Sequence, residues 1–250
     1  MESSAFFTDL VYYLSYGSNM DSERFLCYIR GGSFPGRAVH HTGCRDTSLP
    51  KERTYYRFKN EVAFTIFSKW WDGLACGVKE EKSEEDCSHG IAYLITRQQF
   101  LDVMSQECGL DAGTSTLETA IDWTALHSKG AIEVLPDHNY GKLLFVGTLK
   151  EYPVYTFTHP ASLWTSKKAV RTASAPYLSV IAKGLSPHLD RNLLVQYLHD
   201  REGIKGRWSV EALAVIVDEH YSIKQDVVFY SCISSFYPRY LAISFFILAL

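Results

Sequence analysis

The order of strand and helix patterns is the feature that most constrains the fold of this chain. Short alternating or apolar segments rich in Val, Tyr, Phe and Leu predict strands at residues 10–15, 62–67, 74–78, 90–95, 131–135, 142–149 and 154–158. Capping residues and apolar spacing predict helices at residues 21–30, 96–107, 115–127, 186–203 and 208–217. Because strands and helices do not alternate regularly, the sequence favours an α+β fold with a closed or strongly curved sheet and flanking helices.

The connections between these elements carry their own predictions. Residues 33–60 are polar, basic and interrupted by Gly and Pro, which predicts a long surface loop or an inserted lid. The strands predicted between residues 62 and 95 fit a meander. The charge run at residues 79–86 is typical of a solvated hairpin loop.

Length and charge exclude several classes of protein. A chain of 250 residues can bury a core that needs no disulfide or metal to hold it. Its formal net charge of −3 lacks the basic surplus of a nucleic-acid-binding protein. The six cysteines contain no C-x-x-C pair, and the first residues lack the basic region of a secretory signal. We therefore expect free thiols and a cytoplasmic location.

The C-terminal tail, residues 227–250, is apolar apart from Arg239. Pro238 and Arg239 would lie near the middle of any span long enough to cross a bilayer, which is unfavourable. We expect a buried terminal segment, with membrane association or a non-native extension as alternatives. The predicted organisation is a domain over residues 1–203 followed by a helix and apolar tail, 204–250, of unknown role.

The loop Tyr16-Gly17-Ser18-Asn19 follows the first strand and precedes a helix capped by Asp21 or Ser22. Such a loop presents several backbone N–H groups to one concavity at a helix N-terminus, which suits a carboxylate or an oxyanion. The same residues also form ordinary turns. The G-x-S-x-G pattern of a nucleophile elbow is absent.

Glu107 ends the helix that begins after Thr96. A carboxylate at a helix C-terminus gains nothing from the helix dipole, so this position is either a solvated surface Glu or a functional one.

Together these segments resemble the gamma-glutamylcyclotransferase family, including the butirosin-type cyclotransferases that share its small mixed β-barrel. The Tyr16 to Asn19 loop is similar to the family's Tyr-Gly-Ser-Asn signature, and residues 90–95 with their helix resemble the strand and helix that end in its catalytic Glu. Residues 154–158 and 175–184 look like the family's late strand and Pro-x-Tyr helix. The resemblance covers about residues 10–203, with Met20 in place of Leu and Cys108 inserted between Glu107 and Gly109.

The resemblance implies a mixed β-barrel enzyme that uses no metal and no cofactor. The α-amine of a small gamma-glutamyl substrate would attack its own γ-carbonyl, and the products would be 5-oxoproline and an amine. Glu107 would act as general acid and base, for which its pKa must be raised. The implied substrate-binding residues are Tyr16, Gly17, Ser18, Asn19, Tyr155 and Tyr177.

Several alternatives stay open from the sequence. The same barrel could be an inactive module that binds a small ligand or a protein, or a peripheral membrane protein tethered by residues 227–250. His40, His41 and Cys44 could contribute to a metal site, and Cys108 could be a thiol nucleophile. Trp70 and Trp71 suggest a packing or partner patch at a hairpin tip. The group linked to the gamma-glutamyl moiety and the oligomeric state are left undetermined.

Overall fold

The computed structural model describes residues 9–35, 40–113, 115–164 and 171–221. The strands are β1 (Leu10–Ser15), β2 (Gly32–Ser33), β3 (His40–His41), β4 (Glu52–Phe58), β5 (Asn60–Ser68), β6 (Gly73–Lys82), β7 (Ser88–Thr96), β8 (Ala131–Glu133), β9 (Lys142–Leu149) and β10 (Tyr152–Thr158). The helices are α1 (Ser22–Arg30), α2 (Arg97–Glu107), α3 (Ser115–Ala120), α4 (Trp123–Lys129), α5 (Ala175–Leu185), α6 (Arg191–His199) and α7 (210–221). The prediction of a mixed α+β fold is confirmed.

A six-stranded sheet organises the fold, in the order β4-β7-β1-β10-β9-β8. β1 runs parallel to β10, and every other neighbouring pair is antiparallel. β5 and β6 form a separate two-stranded hairpin, and β2 pairs with β3. Within the described part of the chain the large sheet ends at β4 and β8, so a closed barrel is not confirmed.

Two predicted connections differ from the structure. Residues 33–60 are not one loop, because β4 lies within them and pairs with β7 along its whole length. Arg53 and Arg57, two of the basic residues on which the loop prediction rested, lie on an edge strand with a half-exposed face. The meander is also wrong, since β7 pairs with β4 and β1 instead of β6.

The helix ends follow local capping. The predicted capping box of α2 is present, with Gln99 N donating to Thr96 Oγ1 at 3.1 Å and Thr96 N donating to Gln99 Oε1 at 3.0 Å. The helix predicted at residues 115–127 is two helices, because Asp122 caps α4. The helix predicted to begin at Ser186 begins instead at Arg191, where Asp190 accepts a hydrogen bond from Leu193 N at 2.9 Å.

Residues 204–221 pack on the same core as the preceding residues. Ile204, Leu213 and Val217 are fully buried in the main hydrophobic cluster, and Trp208 Nε1 donates to Ala173 O at 3.1 Å. The expected boundary at residue 203 therefore does not separate two cores. The tail at 227–250 lies outside the described residues. None of the described helices is both long and apolar enough to cross a bilayer.

Candidate active site

A cavity of about 750 Å³ opens where the end of β1, the end of α2 and the β5–β6 hairpin meet. The loop at residues 16–19 and Glu107 line one part of it, and residues 66–71 of the hairpin line another. Two sequence motifs that lie about 90 residues apart therefore share one concave surface.

The contact that joins the two motifs is a hydrogen bond. Asn19 Nδ2 donates to Glu107 Oε1 at 2.8 Å, and the same amide nitrogen lies 3.3 Å from the Tyr13 hydroxyl. The other amide atom, Asn19 Oδ1, is buried and has no hydrogen-bond partner among the described residues. Asn19 thus fixes the carboxylate of Glu107 and leaves a buried acceptor free beside it.

The electrostatic environment of Glu107 shifts its titration. Burial raises the pKa of this carboxyl above its usual value, because the charged form loses solvation. The positive charge of Arg24 and the hydrogen bonds from Asn19 and Tyr28 act in the opposite direction and keep the charged form accessible. This carboxyl can therefore exchange a proton nearer to neutral pH than an exposed Glu.

The loop supplies backbone donors. Residues 18–20 form a 3-10 turn in which Met20 N donates to Gly17 O at 3.0 Å. The N–H groups of Gly17 and Asn19 have no acceptor among the described residues. Unpaired backbone donors beside a helix N-terminus favour an anionic ligand.

The loop at residues 16–19 packs closely against β6 and α5. Tyr177 on α5 accepts a hydrogen bond from Cys76 N at 3.2 Å, and its hydroxyl also lies 2.9 Å from Cys76 Sγ. A Cβ at Gly17 would lie 3.0 Å from that sulfur and 3.1 Å from the Tyr177 hydroxyl. A Cβ at Gly184 would lie 2.6 Å from Met20 Cβ, so α5 reaches the loop only because residue 184 has no side chain.

Arg24, which was not among the residues predicted from the sequence, lines the cavity, as does a second cationic residue, Lys69. Arg24 Nε donates to Ser18 Oγ at 2.8 Å and its Nη2 donates to Tyr28 OH at 3.3 Å. The guanidinium carbon lies 5.1 Å from the ring centroid of Trp71 and 5.6 Å from that of Tyr28. No carboxylate of the described residues forms an ion pair with it. The sequence pattern that could have identified Arg24 is its spacing from Tyr28, four residues later on the same face of α1.

A second carboxylate of α2, Asp102, forms hydrogen bonds with the loops near the cavity. Asp102 accepts hydrogen bonds from Arg45 N at 2.9 Å, from Arg45 Nη2 at 2.8 Å and from Gly113 N at 3.0 Å. One turn later, Gln106 Nε2 donates to Tyr28 O at 3.0 Å and Gln106 Oε1 accepts from Gly43 N at 3.3 Å. These contacts fix the loops on either side of the Glu107 end of the cavity.

Most of the residues implied by the resemblance line the cavity. They are Tyr16, Gly17, Ser18, Asn19, Glu107 and Tyr177. The Tyr16 hydroxyl donates to Phe157 O at 2.7 Å, so it anchors the loop. Tyr155 is not among the lining residues, and its hydroxyl lies 2.6 Å from His127 Nε2. Phe157, two positions further along the same face of β10, lines the cavity instead.

The remaining candidate residues form no metal site or reactive thiol in the described part of the chain, although His40 and His41 line the cavity. The His41 ring lies 4.0 Å from the Tyr28 ring, and Cys44 Sγ donates to Tyr28 O at 3.3 Å. In the described ranges no three His, Cys, Asp or Glu side chains are grouped to hold a metal. Burial raises the pKa of the Cys108 thiol to about 12, which disfavours a nucleophilic thiolate. Trp71 is buried at the cavity, whereas Trp70 is 66% exposed.

Comparisons with known proteins give two kinds of similarity. No family model matches the chain. Over 185 residues the chain is 32% identical to histone deacetylase 5 of Arabidopsis thaliana, which corresponds to 70% of this chain and 28% of that protein. The chain thus spans 28% of the length of the curated relative that it matches.

Among solved structures, the chain is similar to a gamma-glutamyl cyclotransferase, with a TM-score of 0.43 and 14% identity over 83% of this chain and 98% of that one. It is also similar to an uncharacterized human protein, with a TM-score of 0.44 and 14% identity over 84% and 99% of the two chains. The function is therefore inferred from the residues of the cavity.

Proposed function

We propose that this protein is a gamma-glutamylcyclotransferase-type enzyme that releases 5-oxoproline from a gamma-glutamyl amide or amine. The observation that carries the proposal is the 2.8 Å hydrogen bond from Asn19 to Glu107 at the edge of an open cavity. It joins the loop at residues 16–19 to a carboxyl group whose pKa is raised by burial. A binding module would need neither the raised pKa nor this juxtaposition, so both features favour the enzyme.

The reaction begins with a proton transfer. Ionised Glu107 accepts a proton from the α-ammonium of the substrate, which frees the nitrogen lone pair. That nitrogen attacks the γ-carbonyl carbon, and the carbonyl π electrons move to oxygen to give a tetrahedral oxyanion. The N–H groups of Gly17 and Asn19 are the donors for this oxyanion, because they have no acceptor among the described residues.

The second half of the reaction returns the proton. Protonated Glu107 donates to the leaving nitrogen, the bond from that nitrogen to the γ-carbon breaks, and the carbonyl of the five-membered lactam re-forms. The attacking nitrogen, which carries two hydrogens and a positive charge after the addition, loses one of these protons through solvent to the released amine. The products are 5-oxoproline and the protonated amine, and Glu107 is again ionised. The attacking nucleophile belongs to the substrate, so the protein has to supply only a proton relay and hydrogen-bond donors.

Arg24 provides a site for a carboxylate of the substrate. Its guanidinium faces the cavity, is held by Ser18 and Tyr28, and has no carboxylate partner among the described residues. A guanidinium binds a carboxylate through two parallel hydrogen bonds, which would orient the substrate relative to Glu107.

The test is a panel of gamma-glutamyl dipeptides, gamma-glutamyl amines and glutathione, each incubated with the purified protein and assayed for 5-oxoproline by mass spectrometry. We expect stoichiometric release of 5-oxoproline and the corresponding amine from at least one compound. Glu107→Gln is the negative control, and Glu211→Gln, which removes an exposed carboxylate on α7, is the matched control. Release by neither the wild type nor Glu211→Gln would exclude the proposed activity for the compounds of the panel.

A further inference from the structure

The cavity is larger than a gamma-glutamyl group requires. Its volume of about 750 Å³ lies within the range of pockets that enclose drug-sized ligands, about 300–1,000 Å³. The reacting atoms must lie next to Glu107 and the loop at residues 16–19. The rest of the cavity is therefore available to the leaving group, which is the amine bonded to the γ-carbon of the substrate.

One wall of this remaining space is aromatic. The tip of the β5–β6 hairpin, defined here as residues 66–71, lines the cavity with four apolar residues, Ile66, Phe67, Trp70 and Trp71, and with Ser68 and Lys69 between them. Phe67 is 41% exposed and Trp70 is 66% exposed. Elsewhere in the described residues, the large apolar side chains with comparable exposure are aliphatic: Leu49, Leu193, Val210 and Val215. Exposed aromatic rings beside a cavity are typical of a ligand-binding surface.

Arg24 lies between the hairpin tip and the loop at residues 16–19. Arg24 donates to Ser18 Oγ at 2.8 Å, and its guanidinium carbon lies 5.1 Å from the Trp71 ring centroid. One guanidinium group thus separates the loop from the first ring of the tip. A substrate held by Arg24 and the loop would extend directly along the hairpin.

The tip is anchored before any ligand binds. The Arg171 guanidinium lies 4.5 Å from the Phe67 ring centroid, and Arg171 Nη1 lies 2.9 Å from Asp72 Oδ1. Leu74 N also donates to Thr172 O at 3.0 Å, so the segment after residue 170 ties down the end of the hairpin. A wall that is already ordered loses less conformational entropy when a ligand binds.

Other residues of the cavity lining are polar. Thr42, Asp111 and Asn139 are among them and are called the polar rim here. An aromatic or large aliphatic leaving group would bury apolar surface against the hairpin tip and would gain nothing from the polar rim.

We propose that the hairpin tip is the leaving-group subsite and that it selects gamma-glutamyl compounds whose leaving amine carries an aromatic or large apolar side chain. This inference rests on the proposed function, and Phe67 and Trp70 are its specificity-determining residues.

The experiment compares kcat/KM for gamma-glutamyl-phenylalanine and gamma-glutamyl-alanine. We expect the wild type to favour the phenylalanine compound by about tenfold or more, since apolar pockets discriminate side chains by about 10- to 200-fold. The Phe67→Ala/Trp70→Ala double variant should lower this ratio by about tenfold. Leu193→Ala removes an exposed apolar side chain from α6 and should leave the ratio unchanged. A wild-type ratio near one, or a ratio that the double variant does not change, overturns the inference.

A binding measurement separates failure of the subsite from failure of the proposed activity. Isothermal titration calorimetry on the wild type and on Glu107→Gln should show tighter binding of gamma-glutamyl-phenylalanine than of gamma-glutamyl-alanine, and the double variant should lose that difference. If the wild type releases no 5-oxoproline but retains this binding preference, the proposed activity fails and the subsite stands. Equal binding of the two compounds, or binding of neither, overturns the subsite.

Discussion

Two carboxylates on adjacent turns of α2, Asp102 and Glu107, have opposite environments. Asp102 has a side chain that is 1% exposed and accepts hydrogen bonds from the backbone of Arg45 and Gly113 and from the Arg45 guanidinium. Glu107 faces a cavity, and its hydrogen-bond donors are two side chains, Asn19 at 2.8 Å and Tyr28. The same helix therefore carries one carboxylate saturated with donors and one with lone pairs left for a substrate.

The difference shows how a fold separates stability from chemistry. The donors of Asp102 come largely from fixed backbone and a bidentate Arg, so its charge is compensated within the protein. Glu107 is buried enough for its pKa to rise, yet its compensation comes from Arg24 and side-chain dipoles beside an open cavity. We expect loss of Asp102 to act mainly on folding and loss of Glu107 mainly on turnover.

The largest expected effect is on turnover by Glu107→Gln. The amide cannot accept the ammonium proton, so we expect kcat for 5-oxoproline release to fall by about 10³-fold, within the usual range for general acid-base catalysis. Circular dichroism should show an unchanged fold. A variant that retains more than about a tenth of the wild-type kcat would contradict the role given to Glu107.

The next largest expected effect is that Asp102→Asn lowers the free energy of unfolding. Asp102 is buried although its partner Arg45 is 37% exposed, and the substitution leaves Arg45 and the Gly113 N–H with a weaker acceptor. We therefore expect the free energy of unfolding in urea to fall by about 2 kcal/mol, since hydrogen bonds to a charged group contribute about 1.5–3 kcal/mol. Glu118→Gln is the matched control, because Glu118 contacts the same Arg45 from a side chain that is 44% exposed. That variant should lose no more than about 1 kcal/mol. Equal losses in the two variants would remove the distinction drawn for Asp102.

Arg24→Met should change the pH dependence of the reaction. Arg24 lowers the pKa of Glu107, so its removal should raise that pKa and move the ascending limb of kcat/KM to higher pH. Because Arg24→Met also removes the proposed carboxylate site, kcat/KM should fall at every pH, and the readout is the position of the ascending limb. Arg24→Lys keeps the charge and should keep the position of the limb. A limb that stays in place in Arg24→Met would show that the two groups are not coupled.

The smallest expected effect is that Glu107→Gln increases the free energy of unfolding at high pH. The folded-state pKa of Glu107 lies above its ordinary value of 4.5, so the native protein binds more protons than the unfolded chain between these two values. The wild type therefore loses stability as the pH rises through that interval, whereas Gln does not titrate. We expect the variant to be more stable than the wild type at pH 8, and this difference to disappear at a pH below the ordinary Glu pKa of 4.5. Urea unfolding at both pH values tests this, and a variant less stable than the wild type at pH 8 would contradict it.

Local signals in the sequence predicted the parts of the fold that depend on neighbouring residues. The capping box of α2 and the strand before Tyr16 follow from side chains within a few positions. β4 was missed, because an edge strand carries charged side chains that resemble those of a loop. The pairing of β7 with β1 and β4 is a long-range choice that strand patterns do not encode.

The candidate site divides in the same way. The sequence by itself determined the loop at residues 16–19 and the helix that ends at Glu107, since turn chemistry and capping are local. Only the tertiary structure decided that Asn19 contacts Glu107, that Arg24 lies between the loop and Trp71, and that Phe157 lines the cavity in place of Tyr155. These contacts arise from sheet order and helix packing, which bring together residues that are distant in the chain. The raised pKa of Glu107 has the same origin, because burial is a property of the folded molecule.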